Sequence, residues 1–290
     1  MDFLQVLISG ILIGGIYALV SLGLSLLFGV IKIVNFAHGE FLMLAMFFSY
    51  WLYSAFLIDP YVSLLFVIPV SAIFGAIIYK VFIKGVLHAS EMVHILTTVA
   101  LSIVLQNLVL MFIGPNERAV QTVYGSSSIM IGDLSIGVTK LLAFVAAIIV
   151  TGALLIFLKK TFVGKAIMAV AQDKTAAQYV GINVNKIYLI TFIIATVCVS
   201  IAGTMILPIY SISPHIGSYF VLIAFVVVVT GGLGNIYGVI PAGLLIGIVE
   251  AVSGYYLPVS LKEVIYFSIF LLVLIVRPSG LFGKIKGGAH

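Results

Sequence analysis

Charged residues are scarce in this chain: 14 Lys and Arg and 9 Asp and Glu among 290 residues, 8% of the whole. A soluble domain of this length, at about 25% charged residues, would carry about 70. So few charges cannot build a surface that faces water all round. Cysteine is rarer still. The single Cys198 sits in an apolar stretch and excludes an intrachain disulfide and a cysteine-based metal cluster. No run of Lys and Arg interleaved with aromatics is present, so the net charge of +5 does not read as a nucleic-acid surface. Catalytic signatures are missing as well: no HExxH, no GxSxG, no clustered carboxylate pair and no P-loop. The chain is therefore read as no enzyme, binding neither a metal nor ATP itself. Ser200 and His215 are the one pair on which an intramembrane hydrolase could be imagined. Met1 to Gly10 contain no Lys or Arg and no small-residue cleavage pattern follows, so the first apolar block is expected to stay as a helix.

What is abundant is apolar sequence, 63% of the chain, with a mean hydropathy of +1.34. It comes in blocks of about 20 residues, the length of a membrane helix. Expected spans are 4–29, 41–58, 61–81, 94–113, 139–158, 187–210, 219–236, 238–257 and 263–277. The expectation is an all-α, polytopic helix bundle of eight to ten membrane segments. One of the short, Gly-rich last segments is a candidate re-entrant piece. With only two loops longer than a turn, 1–290 is read as one transmembrane domain.

Basic residues set the orientation, because they collect on the cytoplasmic side. With the N-terminus outside, Lys32, Lys80, Lys84, Lys159, Lys160, Lys165, Lys174, Lys186, Arg277, Lys284 and Lys286 fall inside. Only Arg118, Lys140 and Lys262 fall outside, so eleven of the fourteen obey the rule. The outer loop, Pro115 to Gly137, carries Glu117, Arg118 and Asp133.

The inner loop, 159–186, reads as a helix over Gly164 to Gln172, including Lys165, Ala166 and Ala169. Asp173 is the candidate N-cap of a second short helix, and Gly181 its candidate C-terminal cap. Two short helices at the membrane surface suit a docking site for another protein. An ordinary amphipathic interfacial segment is the alternative.

Polar residues inside apolar blocks mark the candidate transport path. Asn35, His38 and Glu40 interrupt 29–44, where either a gate or a satisfied inner hairpin turn would account for them. Asn235 and Gly238 make a similar break in 230–251, and on this topology the two breaks form a parallel internal repeat. Glu250 falls roughly 18 Å along the helix that follows, at 1.5 Å per residue. A charge at that depth must find a partner, a proton or the bundle interior. Gln106 and Asn107 read as interhelical hydrogen-bonding residues. Gly10 and Gly14, like Gly243 and Gly247, have the small-xxx-small spacing of close helix contacts, within the chain or between subunits.

Three stretches together resemble bacterial branched-chain amino acid ABC transporter permeases. They are IVNFAHGE (33–40), GGLGNIYG (231–238) followed by GLLIGIVE (243–250), and GKAIMAVAQD (164–173) with Gly181 to Asn183. Their order and spacing agree along nearly the whole chain, which is more like the shorter of the two permeases usually found together. The resemblance implies a multi-pass subunit of the bacterial cytoplasmic membrane that pairs with a second permease, as a heterodimer or alternatively a homodimer. It implies two cytoplasmic ATPases that hydrolyse ATP and dock on 164–181, and an extracytoplasmic substrate-binding protein that delivers the solute. Met168 stands where that family often has arginine, a departure at the loop's usual ionic contact.

The expected function is permeation of branched-chain or related hydrophobic amino acids. Urea or short amides are the alternative within the family, and a proton-coupled secondary transporter using Glu40 or Glu250 is the alternative outside it.

Overall fold

The computed structural model describes residues 2–125, 127–132, 134–258 and 261–283. Lys284 and Lys286, counted above as inner charges, and Asp133 of the outer loop lie outside the described residues. Among the described residues eleven α-helices form the body: α1 (Asp2–Ile31), α2 (His38–Phe56), α3 (Leu64–Ile78), α4 (Glu91–Ile113), α5 (Val138–Lys160), α6 (Phe162–Gln172), α7 (Lys174–Tyr179), α8 (Val184–Ile206), α9 (Ile216–Gly231), α10 (Ile236–Tyr256) and α11 (Lys262–Val276). A π turn over Tyr79–Ile83 and a 3-10 turn over Lys84–Val86 prolong α3. The outer loop also carries a small antiparallel hairpin, β1 (Ser128–Ile131) paired with β2 (Leu134–Gly137).

Among the described residues, six helices are long and apolar enough to cross a membrane: α1, α3 with its extension, α4, α5, α8 and α10. Helices α9 and α11 are apolar but shorter, and α2 opens on the polar His38 and Glu40. Of the short, Gly-rich last segments, α10 is continuous over 21 residues, whereas α9 is a 16-residue helix preceded by a non-helical segment. The non-helical breaks lie at 32–37, ahead of α2, and at 207–215, ahead of α9.

These breaks reveal a repeat that is inverted rather than parallel. Helix α1 runs inward, the chain turns back through 32–37, and α2 then runs outward. Helix α8 runs outward, the chain turns back through 207–215, and α9 runs inward. The packing follows the same exchange: α1 lies against α10 and α9, while α8 lies against α3 and α2. Units α1–α4 and α8–α11 are thus related, with α5 to α7 between them. The short similarity between 29–44 and 230–251 pairs residues that are not equivalent in this arrangement.

Glycine spacing explains the closest of these contacts. Gly10 and Gly14 on α1 face Gly247 and Gly243 on α10. A Cβ at Gly14 would come within 2.7 Å of the Leu244 Cα, and one at Gly10 within 2.8 Å of the Ile248 Cα. The two small-xxx-small pairs therefore pack on each other inside one chain. Lys140 and Lys159 mark opposite ends of α5: Lys140 donates to Ser9 at 2.9 Å near the start of α1, while Lys159 sits 5.2 Å from the Tyr237 ring at the start of α10.

Candidate functional site

The site is built from two helices that begin in the middle of the bundle. Lys32 ends α1 in the left-handed region, at φ 64°, and the chain doubles back in extended form. The Asn35 side chain closes the turn by accepting from the Ala37 amide at 3.1 Å, and the His38 amide donates to the Asn35 carbonyl at 3.2 Å. Thr98 on α4 donates to the Val34 carbonyl, holding the returning strand. His38 then starts α2, and its Nε2 bonds the carbonyl of Val20 at 3.0 Å. That carbonyl can only accept, so Nε2 carries the proton. Val20 lies eleven residues before the end of α1, about 16 Å up the helix at 1.5 Å per residue. The segment around His38 is therefore no surface turn; α2 starts deep in the membrane.

Helix α9 starts at the same level. After α8 ends, the segment 207–215 is tied to the outer loop by a backbone pair between Arg118 and Ile212, 2.9 and 2.7 Å. It leads to Gly217, which meets Gly39 backbone to backbone: a Cβ at Gly217 would lie 2.8 Å from the Gly39 carbonyl. The N-termini of α2 and α9 thus meet, and Glu40 stands between them. Glu40 is fully buried, accepts from Ser102 on α4 at 3.0 Å through Oε1, and turns Oε2 toward Gly217 and the neighbouring Ser218 hydroxyl. A carboxylate there faces the positive ends of two helices, the backbone arrangement best suited to an anion at such depth. Gln106 donates to Ser218 at 3.4 Å beside the same junction, as an interhelical contact, whereas Asn107 bonds its own Ile103 carbonyl.

Glu250 belongs to a neighbouring cluster. Its Oε2 accepts from Tyr17 on α1 at 2.5 Å and its Oε1 from Tyr219 in the first turn of α9 at 3.4 Å. Phe220 packs edge-on against Tyr17, Tyr210 and Tyr219. Hydrogen bonding to two hydroxyls is what lets an acidic side chain sit at 9% exposure in this helix. Sequence reasoning found Glu250 but neither tyrosine, nor Ser102 and Ser218; isolated polar residues in apolar runs were their only signal.

Asn235 lies elsewhere. It donates to the Phe282 carbonyl at 2.7 Å and so ties the chain after α11 to the α9–α10 turn at the inner face. With Leu26, Gly29, Gly234, Tyr237 and Phe282 it lines an open inner cavity of about 970 Å³ that also reaches Met168 and Ala171 of α6. Of the five path candidates, Asn35, His38 and Glu40 share the junction, Glu250 adjoins it through Tyr219, and Asn235 is apart. Ser200 lies in a pocket wall with Phe41 and Phe74. It makes no hydrogen bond to His215 among the described residues.

The inner loop has local reasons for its shape. Thr161 caps α6 by accepting from the Gly164 amide at 2.9 Å, Asp173 caps α7 by accepting from Thr175 and Ala176, and Gly181 turns the chain at φ 85°. Gly164, Ala166, Ile167 and Val170 face inward; a Cβ at Gly164 would run into the Phe157–Leu158 backbone of α5. Lys165, Gln172, Asp173 and Gly181 are exposed, Ala169 is half-buried, and Phe162, Tyr179 and Val180 present apolar surface. Gly164 and Ala166 therefore support this surface rather than form it.

On the outer face, Tyr124 donates to Asp59 at 2.6 Å and stacks on Tyr61 at 5.2 Å. Burial and the nearby Asp59 push the Tyr61 hydroxyl up to about 12, and burial with the hydrogen bond to Asp59 raises that of Tyr124. Arg118 lies 5.4 Å above the Tyr50 ring.

An inverted repeat whose broken helices meet at mid-depth, inside a bundle of apolar helices, defines a multi-pass membrane transport protein. The chain belongs to the family described as "Branched-chain amino acid transport system / permease component", which matches residues 6–275. It is 31% identical over 295 residues to the high-affinity branched-chain amino acid transport system permease protein LivH of Escherichia coli K12, covering 97% of this chain and 96% of that one. It is 30% identical to the corresponding BraD of Pseudomonas aeruginosa, at 97% and 96% coverage, and 28% identical to a probable LivH of Methanocaldococcus jannaschii, at 96% and 92%. No solved structure matches the chain. It is a multi-pass permease of the bacterial cytoplasmic membrane, of a transport family rather than an enzyme family.

Proposed function

We propose that residues 1–290 act as one transmembrane domain, a permease subunit of an ATP-driven importer for branched-chain or related hydrophobic amino acids. The observation that carries this reading is the junction of α2 and α9. Two half-helices that meet end to end can be drawn apart without breaking a continuous helix, and their N-termini face the path that opens. Asn35, His38 and Glu40 are placed at this junction, and Glu250 steadies α9 through Tyr219. The surface of α6 and α7 around Lys165, Ala169, Gln172, Asp173 and Gly181 receives a cytoplasmic ATPase, and Asn235 lines the inner cavity that reaches α6. ATP is bound and hydrolysed by two such partners; this chain binds no cofactor and catalyses no reaction. A second permease chain completes the path, and an extracytoplasmic binding protein loads it.

The test is uptake of radiolabelled leucine into proteoliposomes containing this chain, its second permease, the ATPases and the binding protein. Uptake that needs ATP inside and the binding protein outside is expected. Uptake driven by a proton gradient without the ATPases would replace this reading with secondary transport through Glu40 or Glu250. ATP-driven uptake of urea or acetamide but not leucine would overturn the substrate class alone.

A further inference from the structure

The outer loop is tied to both half-helices of the junction. Arg118 and Ile212 exchange two main-chain hydrogen bonds: the Arg118 amide donates at 2.9 Å and accepts in return, through its carbonyl, at 2.7 Å. Ile212 is fully buried and stands four residues ahead of α9. On its other side the same segment meets the outer end of α2. The Arg118 guanidinium lies 5.4 Å from the centre of the Tyr50 ring and donates to the Ile113 carbonyl at the end of α4 at 3.0 Å. Tyr53 donates to the Gln121 carbonyl at 2.6 Å, and Tyr124 donates to Asp59, in the turn after α2, at 2.6 Å.

Residues 118–124 therefore join α2 to the lead into α9 a second time. The first joint is the contact of Gly39 with Gly217 at mid-depth. The second lies outward of it, since Tyr50 is eleven residues beyond Gly39 on α2, about 16 Å at 1.5 Å per residue. The half-helices cannot part on the outer side while both ends of this strap hold.

The two ends are not alike. At α9 the link is main chain to main chain beside the buried Ile212, where an amide or carbonyl that loses its partner finds no other. At α2 every link uses a side chain, and Tyr50, Tyr53, Arg118 and Tyr124 are all only half-buried. Water replaces the partner of a hydroxyl there at small net cost, and a cation on a wet aromatic face is held weakly. The strap also begins at a swivel. Gly114, between it and α4, has φ 92°, and a Cβ there would meet nothing within 4 Å. The far end of the loop is anchored independently, by the Ser135 amide donating to Gln5 of α1 at 2.9 Å.

We infer that residues 118–124 are the outer latch of the transport path. The strap stays with the lead into α9 and leaves the outer end of α2 when the half-helices part to admit solute. Arg118, Tyr53 and Tyr124 are positioning residues in this role, holding α2 without touching the solute. The inference rests on the permease reading above and adds the contact that must open and the end at which it opens.

The experiment links either end of the strap covalently in the whole transporter, reconstituted in proteoliposomes with ATPases, second permease and binding protein. The native Cys198 is buried, which leaves thiol chemistry to introduced pairs. Tyr53→Cys with Gln121→Cys marks the α2 end. Ala119→Cys with Ser211→Cys, exposed positions that flank the main-chain pair, marks the α9 end. A bis-methanethiosulfonate joins each pair, peptide mapping verifies the link, and dithiothreitol undoes it. Linking 53 to 121 is expected to lower ATP-driven leucine uptake severalfold, with recovery on reduction. Linking 119 to 211 is expected to leave uptake unchanged. Unchanged uptake with 53 linked to 121 overturns the latch, as does a pair that resists linking in the resting transporter. Loss of uptake with 119 linked to 211 overturns the assignment of the end that opens. A second pair at the α2 end, Asp59→Cys with Tyr124→Cys, gives the same reading if the first variant does not insert. Uptake by the unlinked transporter is measured first: if it needs no ATPase, the permease reading fails, whatever the links then do.

Discussion

Gly39 and Gly217 meet at the start of α2 and α9 with no room for a side chain on either: a Cβ at Gly39 would lie 2.7 Å from the Gly217 carbonyl carbon, and one at Gly217 2.8 Å from that of Gly39. The contact is backbone on backbone, between residues 178 positions apart in a 290-residue chain. Everything the junction does depends on that proximity, because it brings two helix N-termini to one point beside Glu40.

Gly39→Ala should therefore push the half-helices apart. Overpacking against backbone costs about 1–3 kcal/mol. Thermal unfolding in detergent should fall by a matching amount, and uptake should change with it. Gly152→Ala on α5, where a Cβ meets nothing within 4 Å, should leave both unaltered. Equal behaviour of the two variants would remove the junction from the mechanism.

Tyr17→Phe and Tyr219→Phe should differ in effect. The first removes the 2.5 Å bond to Glu250 and leaves a buried acid with one long partner; the second removes only the 3.4 Å bond. Leaving a buried acceptor short of its donor costs about 1–3 kcal/mol, so Tyr17→Phe should be the more destabilising. Chemical unfolding of both variants decides the order. A larger loss for Tyr219→Phe would mean that Glu250 is held mainly from α9.

On the inner face, Ala169→Glu should abolish ATP hydrolysis coupled to transport while the chain still inserts. Ala169 is half-buried in α6, beside the inward Val170 and above no acidic or basic partner on its own helix other than Lys165. ATPase activity stimulated by loaded binding protein, measured in proteoliposomes, is the readout. Normal stimulation would move the docking surface off α6.

The outer face should carry a mark of alkaline pH. Tyr61 in the folded chain is pushed up to about 12, while a tyrosine in an unfolded chain loses its proton near 10. Its raised value means that the stability it contributes is intact below about pH 10 and is lost as pH rises through about 12. A difference titration at 295 nm between the native chain and Tyr61→Phe should show one phenol missing from the step near 12. Its loss from the step near 10 instead would show that Asp59 and burial do not hold the proton on Tyr61.

How much of this could be read from the sequence depends on the range of the physics involved. The solvent of the chain and the expected side of each loop follow from composition and from the count of basic residues. The caps at Asp173 and Gly181 are legible because they are made within three residues. Glu250 announced itself because a charge in an apolar run has to be answered somewhere.

The depth of His38 and Glu40 was not legible. A polar break between apolar blocks looks the same whether it is a turn in water or a strand doubling back into the bundle. Only the contacts with Val20, Ser102 and Gly217 distinguish the two. Asn235 read like Asn35 from its neighbours, yet the fold gives it Phe282 at the inner face. The inverted repeat escaped for the same cause, since it relates chain direction and packing rather than residue order. Composition and local spacing thus determined the solvent, the sidedness and the caps, whose energies are set along a few residues or over the chain as a whole. Tertiary structure decided which polar groups share the membrane's centre, because a buried hydrogen bond such as that of Tyr17 to Glu250 joins residues 233 positions apart, and nothing in either neighbourhood names the other.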